Sequence, residues 1–193
     1  EDQNHNKTTL IALNPGTREL LVTCRGSVQT ADQAGVIGRH AGHLPLWHFL
    51  DNTPATRAGS RMRALMASLP VEDDHVTTLH RMSAAVIATV EYKAGHTNAE
   101  TTAEEALVGG RGVCQDHAQI FVGCARMLGI PARYVSGYLM MDDRIEQEAG
   151  HAWAEAHVDG IGWVGFDISN GISPDERYVR VATGRDYSEA APV

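Results

Sequence analysis

Cysteine is scarce in this sequence, with only Cys24, Cys114 and Cys124 among 193 residues. Three thiols cannot all pair, and none shows C-x-x-C spacing, which argues against a disulfide framework and against a zinc ribbon. Basic residues are also short, 16 Lys and Arg against 24 Asp and Glu, for a net charge of −8. Nucleic acid is therefore not expected as a partner, because phosphate binding needs a basic patch. No apolar run approaches membrane-spanning length, so no membrane partner is expected either. The acidic pairs Asp73-Asp74 and Asp142-Asp143 lack the alternating ligands of a calcium loop, and no cofactor is implied. Neither a signal peptide nor an initiator methionine is present, which points to the cytoplasm and to a trimmed N-terminus at Glu1. What is left is an ordinary globular composition, 43% hydrophobic, at a length that suits one domain and an appendage.

The first thirty residues read as strands. Lys7 to Leu13 is β-prone, Asn14-Pro15-Gly16 is turn material, and Glu19 to Thr30 places Leu20, Val22, Cys24 and Val28 among polar neighbours. The pattern fits a hairpin, one that needs further strands to be stable. Residues 31–56 read as a crossing loop anchored by Leu46, Trp47, Phe49 and Leu50. Helices are expected over Arg57–Leu69, stopped by Pro70, and from an Asp74 cap to about Lys93. Thr102-x-x-Glu105 is a capping box for a short helix that ends at Gly109-Gly110. The organisation implied is a β-region over 1–56 and a second unit over 57–193.

Residues 109–121, GGRGVCQDHAQIF, carry the chemistry. A helix begins at Cys114, with Ala118, Phe121, Ala125 and Leu128 as a buried stripe and Gly129 and Pro131 beyond its end. Arg133 to Met141 reads as a strand and Asp142 to Gly150 as a polar loop. HAWAEAHV, 151–158, alternates strictly: His151, Trp153, Glu155 and His157 share one face, three alanines the other. The small face admits a covering helix. A turn at 159–162 returns the chain through Trp163 to Ile168, bringing Asp167 near His151, since cross-strand neighbours lie roughly 4.5–8 Å apart. A thiol at a helix N-terminus, an imidazole and a carboxylate are the parts of a nucleophile whose pKa is lowered by helix NH groups and by imidazolium. Those NH groups can also hold a tetrahedral oxyanion. Acyl transfer through a thioester is the chemistry that fits.

GVCQDHA, LGIPARYVSGY, HAWAEAHVDGIGWVGFD and GRDY resemble the bacterial transglutaminase-like family of the papain-type cysteine-hydrolase superfamily. The resemblance is dense from Tyr92 to Tyr187 and looser over the N-terminal strands. It implies an α+β fold, with a central helix carrying the nucleophile packed on an antiparallel sheet, preceded here by the hairpin region. It also implies a triad of Cys114, His151 and Asp167. Two departures stand out: His117 replaces an aromatic, and Ile168-Ser169 replaces proline-threonine after the aspartate. Tyr92 sits where the family commonly carries an aromatic, so its hydroxyl is a candidate second oxyanion donor, with Gln115 or another backbone NH next in line. Packing at a helix end is the competing role for Tyr92.

Simpler roles compete elsewhere too. Cys124 and Cys24 fit core packing, Glu155 and His157 fit solvated strand positions, and His117, one turn after Cys114 and in reach of the cleft, fits a partly buried side chain. A zinc set of Cys114, His117 and His151 lacks zinc spacing. The paired C-x-x-C motifs of the zinc-bearing glycanases are missing, and the surround of the cysteine differs from that of arylamine acetyltransferases. Without a calcium-like site the animal transglutaminase pattern is unsupported. A cysteine peptidase or amidase acting on a peptide or protein is therefore expected, ahead of an isopeptide-forming transferase or a binding domain of the same fold.

Overall fold

The computed structural model describes residues 1–23, 25–70, 72–141 and 150–191. Its elements are β1 (Val36–Gly38), α1 (Ser60–Ala67), α2 (His75–Thr89), β2 (Glu91–Tyr92), α3 (Ala103–Gly109), β3 (Arg111–Gly112), α4 (Cys114–Met127), β4 (Ala132–Leu139), β5 (His151–Val158), β6 (Gly162–Phe166), β7 (Tyr178–Gly184) and α5 (Tyr187–Ala190). A short 3-10 helix, Leu46–Leu50, precedes α1. The main sheet is antiparallel with order β1-β6-β5-β4-β7, and β2 and β3 form a two-residue parallel pair beside it. This is the α+β arrangement expected.

The central helix is buried nearly all round, from Asp116 to Arg126. Ile120, Phe121, Val122 and Ala125 join Ala132, Ala154, Ala156, Val164 and Phe166 of the sheet and Leu79, Met82 and Leu107 of α2 and α3 in one core. The alanine face of β5 does what its small side chains permit, letting α4 lie close. The helix starts follow their caps. Asp74 accepts from the Val76 and Thr77 amides at 3.1 and 3.2 Å, and the Thr102–Glu105 capping box is formed. The helix expected at Arg57 begins only at Ser60, because Glu104 of α3 accepts from the Gly59, Arg61 and Met62 amides at 3.1, 2.7 and 3.1 Å. A carboxylate from a neighbouring element thus takes the orphan amides of that helix end.

The N-terminal hairpin is not formed, which corrects the expectation from alternation. The Asn14–Gly16 turn is present, with the Thr17 amide on the Asn14 carbonyl at 3.1 Å, but the described residues on either side of it take no strand up to Val36. Leu10, Leu20, Leu21, Val22 and Val28 are exposed. A strand needs a partner edge, and the β7 edge is already engaged: the Asn6 amide accepts from the Thr183 N–H and donates to the Thr183 carbonyl, both at 2.8 Å. Only Val36–Gly38 reaches the sheet, on the β6 side. Cys24 and most of the 142–150 loop lie outside the described residues.

Candidate active site

The chain enters α4 by a tight fold. Val113 is extended, and Asp116, three residues on, turns back to accept the Val113 amide and the Thr97 hydroxyl, each at 2.7 Å. Gly112 makes this possible, because a Cβ there would meet the Asp116 carboxylate at 2.7 Å. Cys114 follows as the first helical residue, half-buried at the base of a cleft of about 420 Å³. Tyr134, Tyr138, Val181, Ala182 and Tyr187 supply apolar wall, and the described lining holds no Asp, Glu, Lys or Arg.

His151 opens β5 and stands across from Gly137 of β4. No side chain fits at Gly137, where a Cβ would meet the Val179 carbonyl at 2.1 Å and Trp153 at 2.6 Å. That close packing seats Trp153, whose ring faces His151 at 6.2 Å with the planes inclined by 29°. The β5–β6 register pairs Ala154 with Phe166, which brings the next residue, Asp167, level with Trp153 on the His151 face. The His151 Nε2 donates to Asp167 Oδ2 at 2.6 Å, leaving Nδ1 for Cys114. Burial is the largest influence on the His151 pKa and lowers it. The hydrogen bond and charge of Asp167, together with Cys114, outweigh burial and raise the value to about 9.

Asp167 is fully buried. Burial alone would raise its pKa, but hydrogen bonds and charge from His151, with Asn170 and Tyr178, hold it below the usual carboxylate range. Oδ2 accepts from the Tyr178 hydroxyl at 2.7 Å and the Asn170 amide group at 2.6 Å, and Oδ1 from the Asn170 backbone N–H at 3.2 Å. Neither partner was found by sequence reasoning. The Asp-x-x-Asn spacing was a signal for Asn170, as an Asx-type turn. Tyr178 had none, because it enters from β7, whose register on β4 contains a bulge.

Tyr92 reaches the site through the small parallel pair, where it lies beside Gly112 and the Lys93 amide bonds the Gly112 carbonyl at 2.7 Å. It is 57% exposed, so it does not simply pack at the end of α2. Its phenol pKa is raised, first by burial of the hydroxyl and then by the Cys114 thiol, while the Cys114 backbone N–H acts in the opposite sense. Tyr92 and Cys114 line the same cleft.

The other residues read from the sequence divide. His117 is fully buried and turned from the cleft, with Nε2 donating to the Val90 carbonyl at 3.0 Å and Nδ1 accepting from the Ser169 hydroxyl at 2.9 Å. It cannot join Cys114 and His151 in a zinc set. Both departures from the family pattern thus meet in one hydrogen bond. Glu155 is not solvated. It is fully buried between Arg133 and Arg180, because strand alternation gives a face and not what covers that face. Cys124 is packed in the core, where burial pushes its thiol up to about 12.

Comparison with known proteins places the fold. An uncharacterized protein of Mycobacterium tuberculosis is 36% identical over 128 residues, covering 61% of this chain and 41% of its own length; one of Mycobacterium leprae is 37% identical over 109 residues, covering 54% and 38%. The chain thus spans less than half the length of these curated relatives. Among solved structures, a provisionally assigned cysteine protease from Cytophaga hutchinsonii superposes with a TM-score of 0.66 at 25% identity, over 84% of this chain and 55% of its own. The periplasmic domain of TgpA from Pseudomonas aeruginosa, at 23% identity and a TM-score of 0.52 over 67% and 50% of the two chains, shares the fold. The model of the transglutaminase-like superfamily matches residues 64–168, more than half of the chain, from within α1 to just past Asp167, so the protein belongs to that superfamily.

Proposed function

We propose that this protein is a thiol-dependent acyl-transfer enzyme that hydrolyses peptide or amide bonds, with Cys114 as nucleophile, His151 as acid-base and Asp167 as its orienter. The observation that carries the reading is the 2.6 Å bond from His151 Nε2 to a buried Asp167, with the other ring nitrogen left to Cys114 at the base of an apolar cleft. Sγ attacks the carbonyl carbon while the proton of the Cys114–His151 pair rests on the imidazole. A His151 pKa of about 9 keeps that proton available at neutral pH. The oxyanion is met by the Cys114 N–H, with the Tyr92 hydroxyl as second donor. Collapse expels the amine, which takes the proton from His151, and leaves a thioester on Cys114. Water, losing its proton to the now neutral His151, resolves the thioester, and Cys114 returns. The wall of the cleft suits an uncharged acyl-donor side chain.

The test is turnover of a panel of peptide and isopeptide amides with and without a primary amine. Release of free acid that is lost in Cys114→Ala, and little changed by the amine, is the expected result. Amide formation at the expense of the acid would make the protein a transferase instead. Full activity of Cys114→Ala or His151→Ala would sink both versions.

A further inference from the structure

A second cavity, of about 600 Å³, opens on the sheet face away from α4 and has no part in the thiol chemistry. Its described lining holds Arg39, Arg133 and Arg180 and no aspartate or glutamate. That is a local reversal of sign in a chain of net charge −8. Of the carboxylates around it, Glu155 is fully buried beneath the arginines, while Asp2 and Glu189 accept from Asn4 of the wall at 2.8 and 3.5 Å. Glu155 Oε2 accepts from Arg133 Nε at 2.6 Å and its Oε1 from Arg180 Nε at 2.8 Å, with a longer contact of 3.4 Å from Arg180 Nη2. The wall itself therefore carries three guanidiniums and no carboxylate, and Glu155 beneath them bonds only Arg133 and Arg180.

Arg133 is the centre of this arrangement. It is only 9% exposed, and its guanidinium lies 4.0 Å from the Trp163 ring centroid. Trp163 is held in turn by His40, whose Nδ1 accepts the indole N–H at 3.1 Å. His40 Nε2 donates to the Leu44 carbonyl at 2.6 Å, which fixes the ring in the wall. Among the described residues neither Nη of Arg133 has a hydrogen-bond partner, and Arg39 has none at all. Arginine donors lie in one plane, and here the Glu155 bond and the Trp163 stack fix that plane. Water filling the cavity would satisfy the donors but bring no charge. A buried cation with unused donors is stabilised far more by an anion.

We propose that this cavity binds a compact oxyanion, a carboxylate or phosphate group, whose paired oxygens meet the free edge of Arg133 while Arg180 and Arg39 complete its neutralisation. The full chain is titrated with sodium phosphate or sodium acetate, and with sodium chloride at equal ionic strength, following the Arg133 Nε–H and Trp163 indole N–H resonances by NMR. Saturable shifts with at least one oxyanion and not with chloride are expected. The oxyanion that saturates at lower concentration identifies the group as phosphate- or carboxylate-borne. Arg180→Gln should weaken that binding at least tenfold and Arg39→Gln several-fold. Arg39 makes no contact that the fold needs, so its variant remains informative if Arg180→Gln fails to fold. Unsaturable shifts shared with chloride, or wild-type affinity in Arg39→Gln, would overturn the site.

Discussion

Asp167 accepts from three different residues, and each bond acts on a different part of the site. The His151 bond sets the imidazole's charge, while Asn170 and Tyr178 hold the carboxylate where that bond can form. Because the folded His151 value, about 9, lies above its ordinary 6.5, the imidazolium's contribution to stability is fully present below pH 6.5. It is lost as pH rises through 9. NMR titration of the His151 ring should therefore give a midpoint near 9, and Asp167→Asn should lower it, since burial is then opposed by Cys114 alone. An unmoved midpoint would mean that Asp167 does not govern the ring.

Two further residues give direct tests. Cys114 lines the cleft, whereas Cys124 is fully buried with its thiol pushed up to about 12. Iodoacetamide near neutral pH should modify Cys114 first, as read by mass mapping, and early labelling of Cys124 would contradict the site. For Tyr92→Phe, loss of one oxyanion donor predicts a fall in kcat of about 10²-fold with KM and folding nearly unchanged. At this scale Cys114, His151 and Asp167 were legible because each sits in a local motif with its own strand or helix signal. Tyr178 was not, since its contact depends on a strand pairing that no local pattern encodes.

Between elements, the His117 pair is the tie that the sequence showed only as two departures. His117 on α4 bonds the Val90 carbonyl, one residue before β2, and the Ser169 hydroxyl in the turn after Asp167. The segments that carry Cys114, Tyr92 and Asp167 are thereby fastened to one buried ring. His117→Phe keeps an aromatic but leaves a carbonyl and a hydroxyl unpaired, at a cost of about 1–3 kcal/mol each. The urea midpoint should fall accordingly. Ser169→Ala should cost less in that background than in wild type, as a coupled pair requires. Additive losses would break the link. The helices and β5 were readable from period and caps. The two-residue pair β2–β3 and the edge strand β7 were not, because so short or so long-range a pairing leaves no periodicity behind.

At the scale of the whole molecule the misjudged part is the N-terminus, where alternation in residues 7–30 suggested strands. Hydrophobic alternation specifies a face, and that face becomes a strand only where a sheet edge is open to it. Here β1 takes one side of the sheet, and the Asn6 amide bridges Thr183 of β7 on the other. Lys7, Arg18 and Arg25 thus lie in exposed chain without strand pairing, while Arg126 and Arg133 are buried. Brief trypsin treatment should cut first after Arg18 or Arg25, leaving a folded fragment that begins at Glu19 or Gly26. Cutting releases Asn6, so the fragment should also lose the two hydrogen bonds that close the β7 edge, about 1 kcal/mol apiece. The thermal midpoint should then drop by a few degrees, and Asn6→Ala in the uncut chain should reproduce that drop. First cleavage within the sheet, or a large collapse of the fragment's midpoint, would show instead that residues 7–30 support the fold.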